Sequence, residues 1–325
     1  MSRPKEQPTI DVLLPVYNVD QYLEDCLASI LNQTYSNFNI IAVNDGSTDR
    51  SLEILNTFSE LYNNIKVITQ KNQGLASARN TALKHSTAKY VAFIDSDDFI
   101  DKDYLSVLMF NLQEHSVDIS ICGRYLYFSP EKIINKKRRA YSNKRLLSTE
   151  ALRALNSFQS FDMSMCCKLI KKSVFNNLVF PVGKTSEDMF VCPELLGKST
   201  TFYDPQPLYF YRQREGSISH DKIIKLDIVE AADFQIVYCI KKYPKLINNA
   251  LTTASFFRLG IINQHYRKKT LSSFEKFESY HSFITSTYLS ALFNISVPFY
   301  KKVQVTIFLL SPRLYFWLLG ILSKR

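Results

Sequence analysis

Apolar residues follow two different spacings through the first 125 positions of the chain. Continuous β-branched runs predict buried strands, and between them apolar residues recur every three or four positions, which predicts amphipathic helices. Strict alternation of the two implies right-handed crossovers and an α/β fold with a mostly parallel sheet flanked by helices. The predicted strands are 9–17, 38–45, 65–70, 89–95 and 117–125, and the predicted helices are 20–32, one from about 49, 75–86 and 101–115.

Polar residues collect where these strands end. Ligands of such sheets bind beyond the carboxyl ends of the strands, so four polar segments are expected along one edge. These segments are 15–18, 45–49, 72–74 and 95–98.

The last segment is unusually acidic for a chain of net charge +10, because FIDSDDFID at 93–101 holds four aspartates within seven positions. Acidic side chains suit the first turn of a helix, which explains Asp101 and Asp103 but not Asp95 and Asp97. Carboxylates this close raise one another's pKa unless a positive group lies among them. The segment therefore predicts a positive partner.

The composition is that of a globular protein, with 325 residues of which 46% are apolar and 22% charged, enough for one large or two modest domains. Six cysteines lack metal-type spacing and the N-terminus lacks a signal peptide, so we expect reduced thiols, no zinc site and a cytoplasmic protein. Residues 1–221 carry 25 basic and 25 acidic side chains, whereas 222–325 carry 15 and 5. The basic C-terminal region is expected to face an anionic surface or ligand.

The remaining segments predict a loop and a helical tail. Residues 129–147 are polar and basic, and their KKRR run lacks interleaved aromatic residues, which favours a solvated loop over nucleic-acid binding. Residues 303–325 are strongly apolar, but Pro312 and Arg313 leave apolar runs shorter than the roughly 18 residues that span a membrane. Flanking lysines and aromatic residues predict a helix lying in the membrane surface. The alternative is a helix packed on the domain or on a second subunit of a homodimer.

Four ordered blocks carry a resemblance to a known family. They are LLPVYNVDQYL and FNIIAVNDGSTD within 13–49, NQGLASARN at 72–80 and YVAFIDSDD at 90–98. Together they resemble the nucleotide-sugar-binding half of a family 2 glycosyltransferase. The resemblance returns at SEDMF (186–190) and YFYRQREGSISH (209–220).

The resemblance implies a GT-A (Rossmann-like) domain at 1–220, with a nucleotide-binding half at about 8–125 and an acceptor half at about 126–220. A helical, basic region follows at 221–325.

A divalent metal is implied by the same resemblance. Mn²⁺ or Mg²⁺ bridges a pyrophosphate and needs only one or two carboxylates from the protein. Asp97 is the implied main ligand, Asp95 holds the ribose or the metal, and Asp98 is an alternative ligand. His220 is a further possible metal contact.

The donor-binding residues also follow from the resemblance. Asp45 is expected to accept a hydrogen bond from the base, although an Asx turn would explain it too. Arg79 is expected near the nucleotide, either in direct contact or bracing Asp95, with a purely structural salt bridge as the alternative. The other expected donor contacts are Pro15, Val16, Tyr17, Asn18, Gly46, Asn72, Gly74, Ser96, Arg212, Arg214 and Ser217.

The implied catalytic base is Asp188, which takes the proton of the acceptor hydroxyl. Glu187 is expected to support it or contact the acceptor, although Ser186 and Glu187 would also suit a helix cap. Lys168 is expected near the acceptor.

The resulting hypothesis is an inverting, metal-assisted hexosyl- or N-acetylhexosaminyltransferase. It would move a sugar from a nucleotide diphosphate, with UDP expected, to a glycan or lipid-linked glycan in polysaccharide synthesis, at the inner face of the cell membrane. A nucleotidyltransferase is one alternative, but PVYNVDQY has none of the glycines such enzymes place after the first strand. A non-catalytic, membrane-associated nucleotide-sugar-binding protein is the other, against which stand the intact carboxylates Asp45, Asp95, Asp97 and Asp188.

Overall fold

A computed structural model describes residues 7–135, 143–156, 161, 163–214 and 224–322. The strands are β1 (Ile10–Val16), β2 (Phe38–Asn44), β3 (Ile65–Thr69), β4 (Tyr90–Phe93), β5 (Phe99–Ile100), β6 (Ile119–Ser129), β7 (Lys132–Asn135), β8 (Lys144–Leu146), β9 (Lys168–Lys171) and β10 (Thr201–Arg212). The helices are α1 (Asp20–Leu31), α2 (Ser51–Leu61), α3 (Leu75–His85), α4 (Tyr104–Glu114), α5 (Ser148–Leu155), α6 (Glu187–Gly197), α7 (Asp227–Lys242), α8 (Ile247–Arg267), α9 (Phe277–Ser286), α10 (Tyr288–Phe293), α11 (Phe299–Leu310) and α12 (Pro312–Leu322).

One sheet joins these strands in the order β3-β2-β1-β4-β9-β6-β10-β5, with β7 beside β6 and β8 beside β10. The first four strands in this order are parallel, as are β6 and β10. Strand β9 runs antiparallel between β4 and β6. The predicted α/β fold with helices around a mostly parallel sheet, followed by a helical region, is confirmed.

Burial explains why the early strands could be predicted from the sequence. Every residue of β1, IDVLLPV, is buried, as expected for a strand covered by helices on both faces. Helix α1 buries Leu23, Cys26, Leu27 and Ile30, spaced by three or four positions, against the same core.

The loop prediction at 129–147 was wrong over part of its length, because β7 and β8 lie there and pair with the longer strands β6 and β10. The KKRR run lies outside the described residues.

The chain divides into two compact units. The first comprises Met1–Ala151 and Met163–His220, and the second comprises Leu152–Asp162 and Asp221–Arg325. The second unit has its own apolar core, which includes Ile262, Ile284 and Phe308. Within the described part of the chain, none of the helices has both the length and the apolar character needed to cross a membrane.

Candidate active site

The loops that follow β1 and β2 are joined to each other by hydrogen bonds. The Asn18 side chain accepts a bond from the Thr48 backbone N–H at 2.8 Å, and the Asn18 backbone N–H donates to the Ser47 hydroxyl at 3.2 Å. Pro15 and Val16 are buried within β1, whereas the Tyr17 ring next to them is exposed. An exposed ring beside these joined loops is available to stack on a flat ligand.

Asp45 lies buried at the end of β2 and fixes the approach to α3. Its Oδ1 accepts bonds from the Gln70 side chain at 2.7 Å and the Gln73 N–H at 3.0 Å, and its Oδ2 accepts one from the Gly74 N–H at 2.8 Å. The predicted contact with a base stays a prediction, and Oδ2 has a further acceptor site for it.

Gly46 adjoins Asp45 and needs the absence of a side chain. Its φ of +72° lies in the left-handed region, and a Cβ there would meet the Asn72 backbone N at 2.8 Å. Asn72 and Gly74 are exposed in the loop before α3. The predicted donor residues after β1, β2 and β3 therefore share the carboxyl edge of the sheet.

Two of the aspartates after β4 are partly exposed and one is enclosed. The side chains of Asp95 and Asp97 retain 27% and 19% of their exposure, whereas Asp98 is fully buried. Asp98 accepts hydrogen bonds from the Tyr209 hydroxyl at 2.7 Å and the Arg212 N–H at 2.8 Å. Burial, with Asp97 and Asp95 nearby, raises the pKa of Asp98 well above its usual value. Ser96 is also buried.

Arg212 and Arg214 reach from the end of β10 to this acidic turn. The Arg214 Nε lies 2.8 Å from Asp97 Oδ2, and the Arg212 Nε donates to the Asp97 carbonyl at 2.9 Å. Both guanidinium groups lie 5.1 Å from the ring centre of Tyr22. Burial and Asp95 raise the pKa of Asp97, and Arg214 opposes this. The positive partner that the acidic segment predicted is thus supplied in part by Arg214.

Arg79 of α3 is the most connected charge in the site. Its buried guanidinium lies 3.0 Å from Asp95 Oδ1 and 2.5 Å from both Glu187 Oε1 and Asp188 Oδ1. The Phe180 ring covers it at 5.7 Å. Burial lowers the pKa of Arg79, but its three carboxylates more than reverse this and hold the pKa above its usual value. The Arg79 Nε is buried without a hydrogen-bond partner among the described residues.

Glu187 and Asp188 begin α6 and differ in exposure. Glu187 is enclosed, and burial together with Asp188 raises its pKa from 4.5 to about 7 against the opposing effect of Arg79. Asp188 keeps 18% of its side-chain exposure, and its Oδ2 accepts a bond from the Met165 N–H at 3.0 Å. Burial also raises the pKa of Asp188, while Arg79 opposes the rise. A partly exposed carboxylate with a raised pKa is suited to accept a proton.

Lys168 is buried, and its ammonium donates to the backbone carbonyls of Ser164 and Cys166. Because Lys168 and Glu187 are both enclosed, direct contact with an acceptor would require these side chains to move. Their acceptor roles stay predictions. Ser217 and His220, predicted for the donor and the metal, lie outside the described residues.

The structure adds residues that the sequence analysis did not select. Tyr209 bonds Asp98 and also holds the Asp95 N–H at 3.2 Å, Tyr22 stacks with the two arginines, and Gln70 anchors Asp45. YFYRQREGSISH contained Tyr209, but its aromatic residues were not considered. Gln70 at the end of β3 carried no signal beyond its position.

The carboxylates fit a divalent cation whose ligands come partly from the protein and partly from a bound substrate. Among the described residues, no group of three or more His, Cys, Asp and Glu side chains is arranged to hold a metal by itself. Mg²⁺ and Mn²⁺ sites on phosphate substrates commonly use one or two carboxylates, with phosphate oxygens and water completing the shell. The partly exposed oxygens of Asp95 and Asp97 meet that requirement, whereas those of Asp98 are already bonded within the protein.

Known proteins share this fold. A crystal structure of Staphylococcus aureus TarS residues 1–349 with UDP-GlcNAc matches at a TM-score of 0.65 and 20% identity, over 87% of this chain and 81% of that one. The mannosyltransferase PcManGT of Pyrobaculum calidifontis, solved with GDP-Man and Mn²⁺, matches at 0.56 and 17%, over 95% and 89%.

Sequence relatives are closer. The chain is 39% identical over 219 residues to the glycosyltransferase GlyA of Streptococcus pneumoniae serotype 4, which is 65% of this chain and 31% of GlyA. It is 32% identical over 243 residues to GlyG of the same organism, covering 71% and 80%. It is 30% identical over 267 residues to the minor teichoic acid biosynthesis protein GgaB of Bacillus subtilis, covering 79% and 27%. The chain thus spans about a third or less of GlyA and GgaB but most of GlyG.

A sequence model of the family described as glycosyl transferase family 2 matches residues 11–179, more than half of the chain. This span contains the sheet edge with Asp45, Arg79 and the aspartates after β4. The protein belongs to glycosyl transferase family 2.

Proposed function

We propose that the protein is an inverting hexosyl- or N-acetylhexosaminyltransferase that uses a nucleotide diphosphate sugar, with UDP as the expected nucleotide. The acceptor is a hydroxyl of a glycan or lipid-linked glycan in cell-surface polysaccharide synthesis. The name of GgaB and the UDP-GlcNAc in the TarS crystal support this choice of acceptor and donor.

In the proposed reaction, the acceptor oxygen forms a bond to the anomeric carbon while the bond from that carbon to the diphosphate breaks. The electron pair leaves with the diphosphate. The acceptor proton passes to Asp188, which lies beside Arg79 and is the more exposed of the two carboxylates that begin α6. The raised pKa of Asp188 brings its basicity closer to what general base catalysis needs.

One observation carries the proposal: Arg79 contacts a carboxylate from each half of the site. It pairs with Asp95, at the donor-side turn after β4, and with Asp188, at the start of α6. A single buried guanidinium therefore fixes the expected base relative to the expected donor turn. Positioning of this kind lowers the barrier by holding reacting groups in register.

The donor phosphates are expected to lie between Asp97 and the two arginines. Arg214 already pairs with Asp97, and a guanidinium can exchange a carboxylate for a phosphate in the same bidentate geometry. Asp97 and Asp95 would hold Mn²⁺ or Mg²⁺, which when bound supplies charge neutralisation at the leaving diphosphate. Asp45 and Tyr17 would contact the base.

The proposal is tested by a thermal-shift screen of nucleotide sugars with and without Mn²⁺. We expect one donor to raise the melting temperature in a Mn²⁺-dependent way, and Asp97→Asn to abolish that rise. Asp101→Asn is the matched control, because this residue lies in the same acidic segment, and its carboxylate accepts, among the described residues, only from the Asp103 N–H at 2.9 Å, just before α4. Absence of a shift with every donor would overturn the proposal.

A further inference from the structure

Helices α11 and α12 of the second unit are apolar on two opposite sides. On α11, Val305 and Phe308 are buried in the core of the unit. At about 100° per residue, Phe299, Val303 and Leu310 fall within one narrow sector on the other side. Phe299 is 80% exposed and Leu310 is 82% exposed.

The same holds for α12. Tyr315 is buried in the core, while Leu314, Trp317 and Ile321 follow one another by three and four positions on the exposed side. We call six exposed apolar residues of the two helices the tail face: Phe299, Val303, Leu310, Leu314, Trp317 and Ile321.

Packing of the unit does not account for the tail face. A helix on a protein surface needs apolar residues only toward the core, and its opposite side is normally polar. The chain just before α11 adds Phe293 and Ile295, which are 75% and 93% exposed. Exposed apolar groups concentrated in one segment mark an interaction surface.

Charge identifies the partner. Residues 279–325 contain no Asp or Glu and five Lys or Arg. Arg313 of α12 is exposed and lies about 40° from Trp317 around the helix axis. Arg267, Lys268 and Lys269 are exposed at the end of α8, which packs on the core-facing side of α12 through the Tyr266 and Phe316 rings, 4.6 Å apart. An anionic lipid surface complements this combination of aromatic, aliphatic and basic side chains. A second copy of the chain would instead bring like charges together across a two-fold interface.

We infer that the tail face docks on an anionic bilayer surface, with Trp317 and Phe299 in the interface and the α8 basic residues against lipid headgroups. Docking would bring the protein to the membrane that holds a lipid-linked acceptor, so the biological meaning of docking rests on the proposed function. Docking is measured without any nucleotide sugar. A negative docking result would therefore not count against the proposed sugar transfer.

The test uses the full chain and vesicles of phosphatidylglycerol and phosphatidylcholine. Trp317 is the one tryptophan of the sequence, so its fluorescence reports directly on the tail face. We expect a shift of its emission to shorter wavelength with these vesicles, quenching by brominated lipid, and a weaker response with pure phosphatidylcholine or in 0.5 M salt, because screening weakens exposed charges. An unchanged emission with every vesicle would overturn the inference.

Leu310→Ser should reduce vesicle affinity about tenfold, as expected for loss of one buried leucine. Leu61→Ser is the matched control, since Leu61 is 70% exposed at the end of α2 in the first unit, and it should leave affinity unchanged. Should Leu310→Ser fail to fold, Lys268→Ser with Lys269→Ser replaces it, and affinity for anionic vesicles should fall by a similar factor. Equal affinities for the parent and these variants would refute the docking face. An emission shift that follows protein concentration without vesicles would show a second copy to be the partner instead.

Discussion

Replacing Glu187 by Gln tests the electrostatics of the site through its pH dependence. The raised pKa, about 7 against 4.5 for an ordinary glutamate, means that the folded protein holds the Glu187 proton more tightly than the unfolded chain does. Glu187 therefore favours the folded state below pH 4.5, and this contribution is lost as the pH rises through 7. Between pH 5 and pH 8 the loss amounts to roughly 2–3 kcal/mol. The Glu187 side chain is only 4% exposed, so solvent screening has little effect on this change in the free energy of unfolding.

Glu187→Gln keeps an oxygen that accepts from Arg79 but cannot ionise. Urea unfolding followed by circular dichroism at pH 5 and pH 8 should show the variant gaining roughly 2–3 kcal/mol on the parent over this interval. Titrating groups outside the Arg79 cluster are common to both proteins and cancel in the difference. Glu194→Gln, on the same helix, removes only a surface pair with Lys198 and should change stability by less than about 1 kcal/mol at either pH. A parent–variant difference that is the same at both pH values would refute the reasoning.

Three further outcomes are expected. Asp188→Asn should lower the turnover number roughly 10²–10⁴-fold. Donor affinity, measured by calorimetry, should stay unchanged, and undiminished turnover would remove Asp188 as the base. Arg214→Ala should raise the affinity for Mn²⁺ alone by up to roughly fivefold, since a competing salt bridge is lost. The same variant should bind the donor more weakly, and paramagnetic resonance of free Mn²⁺ showing no gain would contradict the competition. Arg79→Lys should lower the melting temperature, because an ammonium cannot satisfy three carboxylates as the guanidinium fork does. A stability equal to that of the parent would show the buried network to be dispensable.

The sheet edge was predictable because local pattern determines it. Strands β1 to β4 are short apolar runs, and the rule for parallel sheets then collects the polar residues that follow them. Asp45 and Asp97 could be placed at one edge on that basis alone.

Contacts between distant segments were not predictable from the residues themselves. Arg79 meets Glu187 and Asp188, which lie more than 100 positions later, and the sequence showed only that a buried arginine needs a carboxylate. Asp98 looked equivalent to Asp97, and only Tyr209 and the backbone of Arg212 distinguish them by enclosing Asp98. Strand β9 is four residues long and antiparallel, so it had no distinguishing pattern.

The tail was ambiguous for a different reason. Membrane contact and packing on the domain both require apolar residues, and composition does not separate them. These helices have apolar residues on both sides: Phe308 packs in the core of the unit, whereas Leu310 is exposed to solvent.

The most direct measurement is a crystal structure grown with UDP-GlcNAc or another accepted UDP-sugar and Mn²⁺, using anomalous scattering to locate the ion. The expected result is an ion directly coordinated by an Asp97 oxygen and by the diphosphate, with Arg214 moved from Asp97 to phosphate and the anomeric carbon facing Asp188. A donor bound with Asp97 still paired to Arg214 and the ion elsewhere would contradict the account.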